Sequence, residues 1–596
     1  MSVALIAPGA GLSWPGASRA GKGGDAGRAG SGNDADHVGK GGDALTGPVA
    51  GNGSGTVKGR DVGNDAAMAK GGALVGPDLI RRTAGLAGWI AGQVAPGDRV
   101  AICLPKGPSA VMIMLAAFAA GAVAVPLDPA APPTRLRAML DDLAPGLVFA
   151  AGPIAATLGD GPGTRIETAP DAPDTLPMAA PIALVAPADD QPAMILMTSG
   201  STGRPKGVVL SHGNLATFID WAVATFALTG ADRFLSLAPM HFDLSVLDIH
   251  AALRLGARVH LLPDARAGFA QEVMGAIRDH RVSVLYTVPT QLRLLTGLRA
   301  FERARPEGLR WLLSAGEVLP AATLRQLVTA LPDTRFANLY GPTETNVICC
   351  HVVEGIDPGW VDVPIGQPCA HAAITIRDTD GRPLPPGEEG EICVVGPSVM
   401  AGYWQRPELT QAARLDGAPD SYRTGDYGRI GPDGGVVFLG RRDAQVKVRG
   451  FRVETGEIEA AAQDIPGVAL AVALPQVSRD GTTRIILAVL PAGVGAGSEA
   501  DGAVPETDGV APAKDGPAPA TEVPAPPTDG AVPMTNGPAV DLTTAVTAAL
   551  AERLPPQSRP AQVVPVDAMP RTSSGKIDRR ALADQLFPPA ALAGRS

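Results

Sequence analysis

From Asp78 to about residue 330 the chain alternates between two hydrophobic periods, and this alternation limits the possible folds more than any other feature. DLIRRTAGLAGWIAGQV reads as an amphipathic helix, and Gly97–Asp98 turns it into the run RVAICL. Ala110 to Ala120 reads as a second helix and AVAVPLD, residues 122–128, as a second strand. Such units stack as mostly parallel sheets covered by helices, so an α/β fold is expected. A dinucleotide-binding fold is the natural alternative, but no GxGxxG follows the first strand. Ser109 to Leu127 is apolar enough to raise the question of a membrane span. Lys106 precedes it closely and Gly121 and Pro126 interrupt it, so a buried helix followed by a strand is expected, with no membrane partner.

The pattern changes on either side. Residues 1–78 are glycine-rich and poor in large apolar side chains, with GKGGDA at 21–26 and again at 39–44, and read as low-complexity and mostly disordered. They lack the layout of a signal peptide. Residues 361–440 show short strands such as AAITIRD and EICVVG parted by Asp–Gly and Pro–Gly turns, a small β-rich subdomain. The reading is a large N-terminal domain over 79–442, with α/β subdomains and this β-rich one, followed by a mobile α+β C-terminal domain over 443–596. Within the latter, residues 492–540 are Ala, Pro, Gly, Thr and acidic residues without an aromatic, read as a disordered insertion.

Charge and cysteine content remove whole classes of function. Acidic residues number 60 against 50 basic, a net charge of −10, which gives no support for a nucleic-acid surface. Five cysteines without CxxC spacing point to neither a disulfide framework nor a zinc site, and suggest a reducing cytoplasm.

MTSGSTGRPKG, residues 197–207, is the densest chemical signal. Apolar runs lead in and out, so it reads as a turn between strands. Its glycines let backbone approach a ligand closely, and its N–H groups and hydroxyls can cradle an anion. It is not a P-loop, because Lys206 stands between Pro205 and Gly207. A polar surface turn is the plain alternative.

TSGSTGRPKG resembles the phosphate-binding signature of AMP-forming adenylating enzymes, which include acyl-CoA synthetases, luciferases and peptide-synthetase adenylation domains. NLYGPTE at 338–344, GEICVVGPSVMAGYW at 390–404, YRTGD at 422–426, GRRDAQVKVRGFRVETGEIE at 440–459 and SSGKIDRR at 573–580 follow in the family's order. The resemblance implies ATP and Mg²⁺ as cofactors. It implies that Thr198, Ser199, Gly200, Ser201, Thr202, Gly203 and Lys206 hold the β,γ-phosphates. Asn338, Tyr340 and Gly341 would bind the nucleotide, with Tyr340 stacked on adenine, and Thr343 would touch the α-phosphate. Glu344 would bind Mg²⁺, a hard ion suited to carboxylates. Asp426 would accept both ribose hydroxyls, for which a carboxylate has the right acceptors, and Arg441 would assist there. Asp443 matches the hinge position. Lys576 would be delivered to the reacting carboxylate by domain closure. A helix cap at Glu344 and a solvated basic tail at Lys576 are the competing readings.

Phe242–Asp243–Leu244–Ser245 resembles the motif of amino-acid-adenylating members, in which the aspartate pairs with the substrate ammonium. A helix cap is the alternative. Position matching adds Leu244, Leu247, Tyr286, Leu313, Ala315, Leu339, Val347 and Ile348, an apolar lining with one phenol. This resembles free-standing prolyl-adenylating enzymes that load a separate peptidyl or acyl carrier protein. L-proline is the first choice of substrate, with D-alanine or another small amino acid in reserve. An acyl- or aryl-CoA ligase is the alternative on the same scaffold, and a non-catalytic interaction protein a third reading that Lys206, Glu344, Asp426 and Lys576 oppose. No carrier domain with a GxxSL serine follows, so a free-standing enzyme is expected.

Overall fold

The computed structural model describes residues 9–15, 71–158, 161–184, 187–199, 205–304, 306–441, 445–478, 482–492, 542–571 and 577–587. Two large sheets carry the N-terminal part. The nine-stranded sheet has a parallel centre of Gly11–Pro15, Arg258–Leu261, Arg233–Ser236, Val284–Thr287, Trp311–Ser314 and Arg335–Tyr340, with antiparallel strands at both edges. The seven-stranded sheet centres on the parallel strands Val123–Pro126 and Arg99–Cys103 and includes the antiparallel pair Pro192–Thr198 and Lys206–Ser211. The expected α/β layout is therefore present, because short apolar runs separated by helices can pair only through crossovers.

The helix Pro108–Ala119 shows how the sequence is used. It starts at a proline, where the missing N–H costs nothing, and residues 108–118 are all buried. An all-round apolar helix belongs inside a protein or a membrane, and this one, 12 residues long, is too short to span a bilayer. It packs on the helix Gly76–Ala91 and leads into Val123–Pro126. No helix among the described residues is long and apolar enough to cross a membrane.

Part of the glycine-rich N-terminus is ordered, unlike the expectation. Gly11–Pro15 pairs in parallel with Arg258–Leu261, and Gly71–Val75 pairs antiparallel to it, with Leu12 opposite Leu74. Leu12 and Leu74 are buried, so a few apolar residues dock two strands onto a sheet edge prepared elsewhere.

An antiparallel four-stranded sheet, Ala373–Arg377, Gly390–Val395, Ser421–Ile430 and Val436–Arg441, forms the β-rich part. Beyond it comes a hairpin, Gln445–Val448 with Phe451–Glu454, and a three-stranded sheet of Val468–Val477, Thr483–Pro491 and Gln562–Pro565. These C-terminal elements have their own apolar clusters, built from Val453, Ile458, Leu487 and Leu550 and from Val472, Leu474 and Leu582.

Candidate active site

A cavity opens where the two large sheets, the four-stranded sheet and the C-terminal hairpin converge. Its lining includes Thr198, Ser199, Asp243, Leu244, Tyr286, Ala315, Gly341, Thr343, Val347, Asp426 and Arg441. Eleven of the residues singled out in the sequence, from segments far apart in the chain, thus share one cavity. Lys206, Asn338, Tyr340 and Glu344 stand beside it rather than on its lining, and Leu247, Leu313, Leu339 and Ile348 are buried in the core behind it. Gly200, Ser201, Thr202, Gly203, Asp443 and Lys576 lie outside the described residues.

The turn after Arg335–Tyr340 places two polar groups, Thr343 and Glu344. A Cβ on Gly341 would come 1.7 Å from the carbonyl oxygen of Asn346, so only glycine lets the chain fold back this tightly. Asn346 itself has φ +53°. The fold-back presents Thr343 to the cavity and buries Glu344 completely. Asn338, at the strand's buried end, donates to the carbonyls of Val363 and Pro364 at 3.1 and 3.0 Å, tying the edge of the sheet.

Asp243 precedes the helical turn Leu244–Val246 but makes no capping hydrogen bond. Its carboxylate instead accepts from the Thr343 hydroxyl at 2.7 Å. Burial pushes its carboxyl pKa up, while Thr343 and the nearby Lys447 pull it down. The helix-cap reading is thereby displaced: this carboxylate lies on a cavity whose lining includes Leu244, Tyr286, Ala315 and Val347. Burial and then the Asp243 charge raise the Tyr286 phenol, which stays neutral.

Asp426 sits on the second carboxylate position. It accepts from the Tyr340 hydroxyl at 2.5 Å and from Arg441 Nη1 at 2.6 Å. Tyr340 is buried, its ring tilted against Phe438 at 5.8 Å, and Lys447 Nζ lies 6.0 Å from its centre.

Glu344 is the third. Tyr403 donates to its Oε1 at 2.8 Å, Arg452 Nη1 donates to Oε1 and Oε2 at 2.9 and 3.0 Å, and Lys206 Nζ lies 3.5 Å away. Burial alone would raise its carboxyl pKa, but Arg452, Lys206 and Tyr403 outweigh it and hold the group at about 2. Lys206 donates to the Tyr403 hydroxyl at 3.0 Å and lies over its ring. Burial lowers the Lys206 ammonium and Glu344 raises it. Thr198 closes the turn locally, donating to the Lys206 carbonyl at 3.3 Å, and Ser199 donates to the Arg452 carbonyl at 2.8 Å.

The hairpin's contribution was not foreseen. Arg449 and Gly450 both have positive φ, +52° and +82°, the signature of a tight two-residue hairpin turn. Glu317 holds it: Oε1 accepts from Gly450 N at 2.6 Å, while Oε2 accepts from Thr290 N and Oγ1. Phe451 stacks on Phe242 at 5.3 Å, and Arg135 pairs with the buried Glu457. Lys447 and Arg452 are thereby brought into the cavity. Burial lowers the Lys447 ammonium, with Asp426 and Asp243 pulling it up. A sequence signal existed: in QVKVRGFRVE an Arg–Gly turn separates two alternating runs, which sets Lys447 and Arg452 opposite each other.

Carboxylates, cations and an apolar group of side chains thus converge around one cavity. The family model for AMP-binding enzymes matches residues 63–404, more than half of the chain, and the chain belongs to that family. Two curated relatives are each described as an L-proline--[L-prolyl-carrier protein] ligase. The one from Pseudomonas fluorescens is 36% identical over 83% of this chain and 90% of its own length. The one from Streptomyces coelicolor is 40% identical over 63% of this chain and 75% of its own. The solved structure of the amide bond synthetase McbA from Marinactinospora thermotolerans shares the fold, with a TM-score of 0.69, 23% identity and coverage of 87% of this chain and 96% of that one.

Proposed function

We propose that this chain activates L-proline with ATP as its adenylate, releases pyrophosphate, and passes the prolyl group to the phosphopantetheine thiol of a separate carrier protein. The observation that carries this reading is Asp243, a half-buried carboxylate without a capping role, on a cavity whose lining includes Leu244, Tyr286, Ala315 and Val347. A carboxylate so placed needs a cation to match it, and the α-nitrogen of an amino acid supplies one. Leu244, Ala315 and Val347 suit the methylenes of a small ring. The two prolyl-carrier-protein ligases at 36% and 40% identity support the same substrate and acceptor.

The substrate carboxylate attacks the α-phosphorus of ATP and the bond to pyrophosphate breaks. The carrier thiol then attacks the acyl carbon, losing its proton, and AMP leaves. Thr198, Ser199 and Lys206 hold the outer phosphates, with Gly200, Ser201, Thr202 and Gly203 of the same turn. Asn338, Tyr340 and Gly341 frame the base, Asp426 and Arg441 hold the ribose, and Thr343 meets the α-phosphate. Lys576 neutralises charge on the transferring centre, and Asp443 is the hinge between 79–442 and 443–596. Glu344 is the candidate ligand of Mg²⁺, which supplies charge neutralisation at the phosphates. No group of three or more His, Cys, Asp or Glu able to hold a metal occurs among the described residues. One carboxylate fits an ion held mainly by phosphate oxygens, and it does so when Arg452 is not engaged with it. A cytoplasmic setting agrees with five free cysteines.

The deciding experiment is ATP–pyrophosphate exchange across amino, aliphatic and aryl acids, followed by product mass spectrometry with carrier protein and with CoA. L-proline is expected to give the fastest exchange and the carrier protein to be loaded. Fatty or aryl acids outrunning every amino acid would overturn the substrate, and efficient transfer to CoA alone would overturn the acceptor.

A further inference from the structure

Lys106 is a buried cation that the proposed reaction does not use. It follows the strand Arg99–Cys103 of the seven-stranded sheet and precedes the helix Pro108–Ala119. It is 3% exposed and does not line the cavity. Its partners belong to the nine-stranded sheet. Nζ donates to the carbonyl of Ala238, just past Arg233–Ser236, at 3.0 Å. It also lies 3.3 Å from Oδ1 of Asp264, just past Arg258–Leu261. Asp248, fully buried, feels the same charge: burial raises its carboxyl pKa and Lys106 lowers it. Burial lowers the Lys106 ammonium in turn, while Asp264 and Asp248 pull it up. An ammonium this deep is stable only when it is paired and hydrogen-bonded. Its bonds therefore fix where the two sheets stand relative to each other at this point.

Ala238 and Asp248 bracket Asp243 in the chain. Between them Phe242 N donates to the Pro239 carbonyl at 3.0 Å, Ser245 Oγ to the Met240 carbonyl at 3.3 Å and Val246 N to the Asp243 carbonyl at 3.1 Å. Each turn leans on the one before it, so a shift at Ala238 is carried to the Asp243 carboxylate and its bond with Thr343. The strands Pro192–Thr198 and Lys206–Ser211, whose turn is assigned above to the phosphates, lie in the sheet that supplies Lys106. We propose that Lys106 is a positioning residue for amino-acid recognition: it ties the segment that carries Asp243 to the sheet that carries the phosphate turn, and so holds ammonium and phosphates at one spacing. This rests on the reading of Asp243 as the partner of the substrate ammonium. A substrate gripped at its nitrogen from one sheet must bring its carboxylate to a phosphorus held from the other. Its reactivity then depends on that spacing, and a misplacement of about 1 Å can cost about 100-fold in rate.

The test is ATP–pyrophosphate exchange by the full chain, with L-proline and ATP varied separately. Lys106→Met keeps an apolar stem and removes both the donor and the charge. It is expected to lower kcat/KM for L-proline by up to about 100-fold, while KM for ATP stays at the wild-type value. Lys106→Gln, which keeps an N–H donor, is read in the same way where the methionine variant does not fold, with folding followed by circular dichroism. In an Asp243→Ala background, adding Lys106→Met is expected to cost little more, because the group it positions is already gone. A residue that only stabilises the fold would cost the same in both backgrounds and would weaken ATP together with proline. That result overturns the proposal, and so does failure of both Lys106 variants to fold. If Asp243→Ala is impaired and a folded Lys106 variant handles proline like the wild type, the positioning role alone fails. If Asp243→Ala itself exchanges proline like the wild type, the ammonium reading fails and takes the positioning role with it.

Discussion

Three carboxylates, Asp243 and Asp426 on the cavity and Glu344 buried beside it, are each handled differently by their neighbours. Glu344 is ionised by force of two cations and a phenol, and its carboxyl pKa falls from 4.5 to about 2. A depressed pKa stabilises the fold above the unfolded value and loses that stabilisation as pH falls through the folded one. Glu344→Gln leaves Arg452 and Lys206 facing a neutral amide, at a cost of about 3–5 kcal/mol. The gap in melting temperature between wild type and Glu344→Gln should be full above pH 4.5 and should narrow as pH falls toward about 2. A gap independent of pH between 6 and 3 would show that Glu344 is not ionised by its neighbours. Asp243 shifts the other way, raised by burial, which makes it a carboxylate that gains from a cationic ligand. Asp243→Ala should lose about 2–5 kcal/mol of kcat/KM in proline-dependent exchange with ATP affinity little changed; normal exchange would remove the substrate class. Both residues were legible in the sequence, because a motif fixes residue type and order. Leu247, Leu313, Leu339 and Ile348 were placed on the lining by the same matching, yet they sit in the core. Position on a strand is set by pairing, whereas access to a cavity depends on which side chains stand in front.

At the scale of elements, the hairpin matters most and was least legible. Its strands and turn are written locally in alternating residues around Arg449–Gly450. Where it docks is not, because Glu317, Thr290 and Phe242 come from more than a hundred residues earlier in the chain. The two strands at Gly11–Pro15 and Gly71–Val75 escaped notice for the same reason: their pairing partners supply the sheet. Gly450 is the point at which local and distant demands meet. Its φ is +82°, and a Cβ there would lie 2.5 Å from Val288 Cγ1. Gly450→Ala should therefore unseat the hairpin, at a cost of about 1–3 kcal/mol from the strained backbone alone. The seated hairpin holds Arg452 on Glu344, the proposed cation ligand, so the proposed function assigns it to the second step. The variant is expected to keep ATP–pyrophosphate exchange and to slow thioester formation on the carrier protein. Equal loss of both activities would place the hairpin in the first step.

On the scale of the whole molecule, the segment between Thr483–Pro491 and Leu542–Arg553 tests how the C-terminal elements hold together. Those elements form a crossover, since Thr483–Pro491 pairs in parallel with Gln562–Pro565 and the helix lies between them in sequence. Both ends of the segment meet at one residue. Ala492 N donates to the Gly467 carbonyl at 2.8 Å, and Leu542 Cδ1 would lie 3.3 Å from a Cβ on Gly467. The chain therefore leaves the domain and returns at nearly the same place, and a short loop can replace residues 493–541 without stretching. Loop-closure entropy grows only with the logarithm of length, about 0.6 kcal/mol per doubling. Replacing the segment by about eight residues shortens it roughly sixfold and should stabilise the crossover by about 1.5 kcal/mol. The apolar clusters around Ile458, Leu487 and Leu550 and around Leu474 and Leu582 join the described residues on both sides of the segment. The shortened protein is expected to match the wild type in exchange and carrier loading, with a melting temperature equal or slightly higher. Unfolding of the C-terminal elements on shortening would mean that residues 493–541 supply packing that their composition does not suggest.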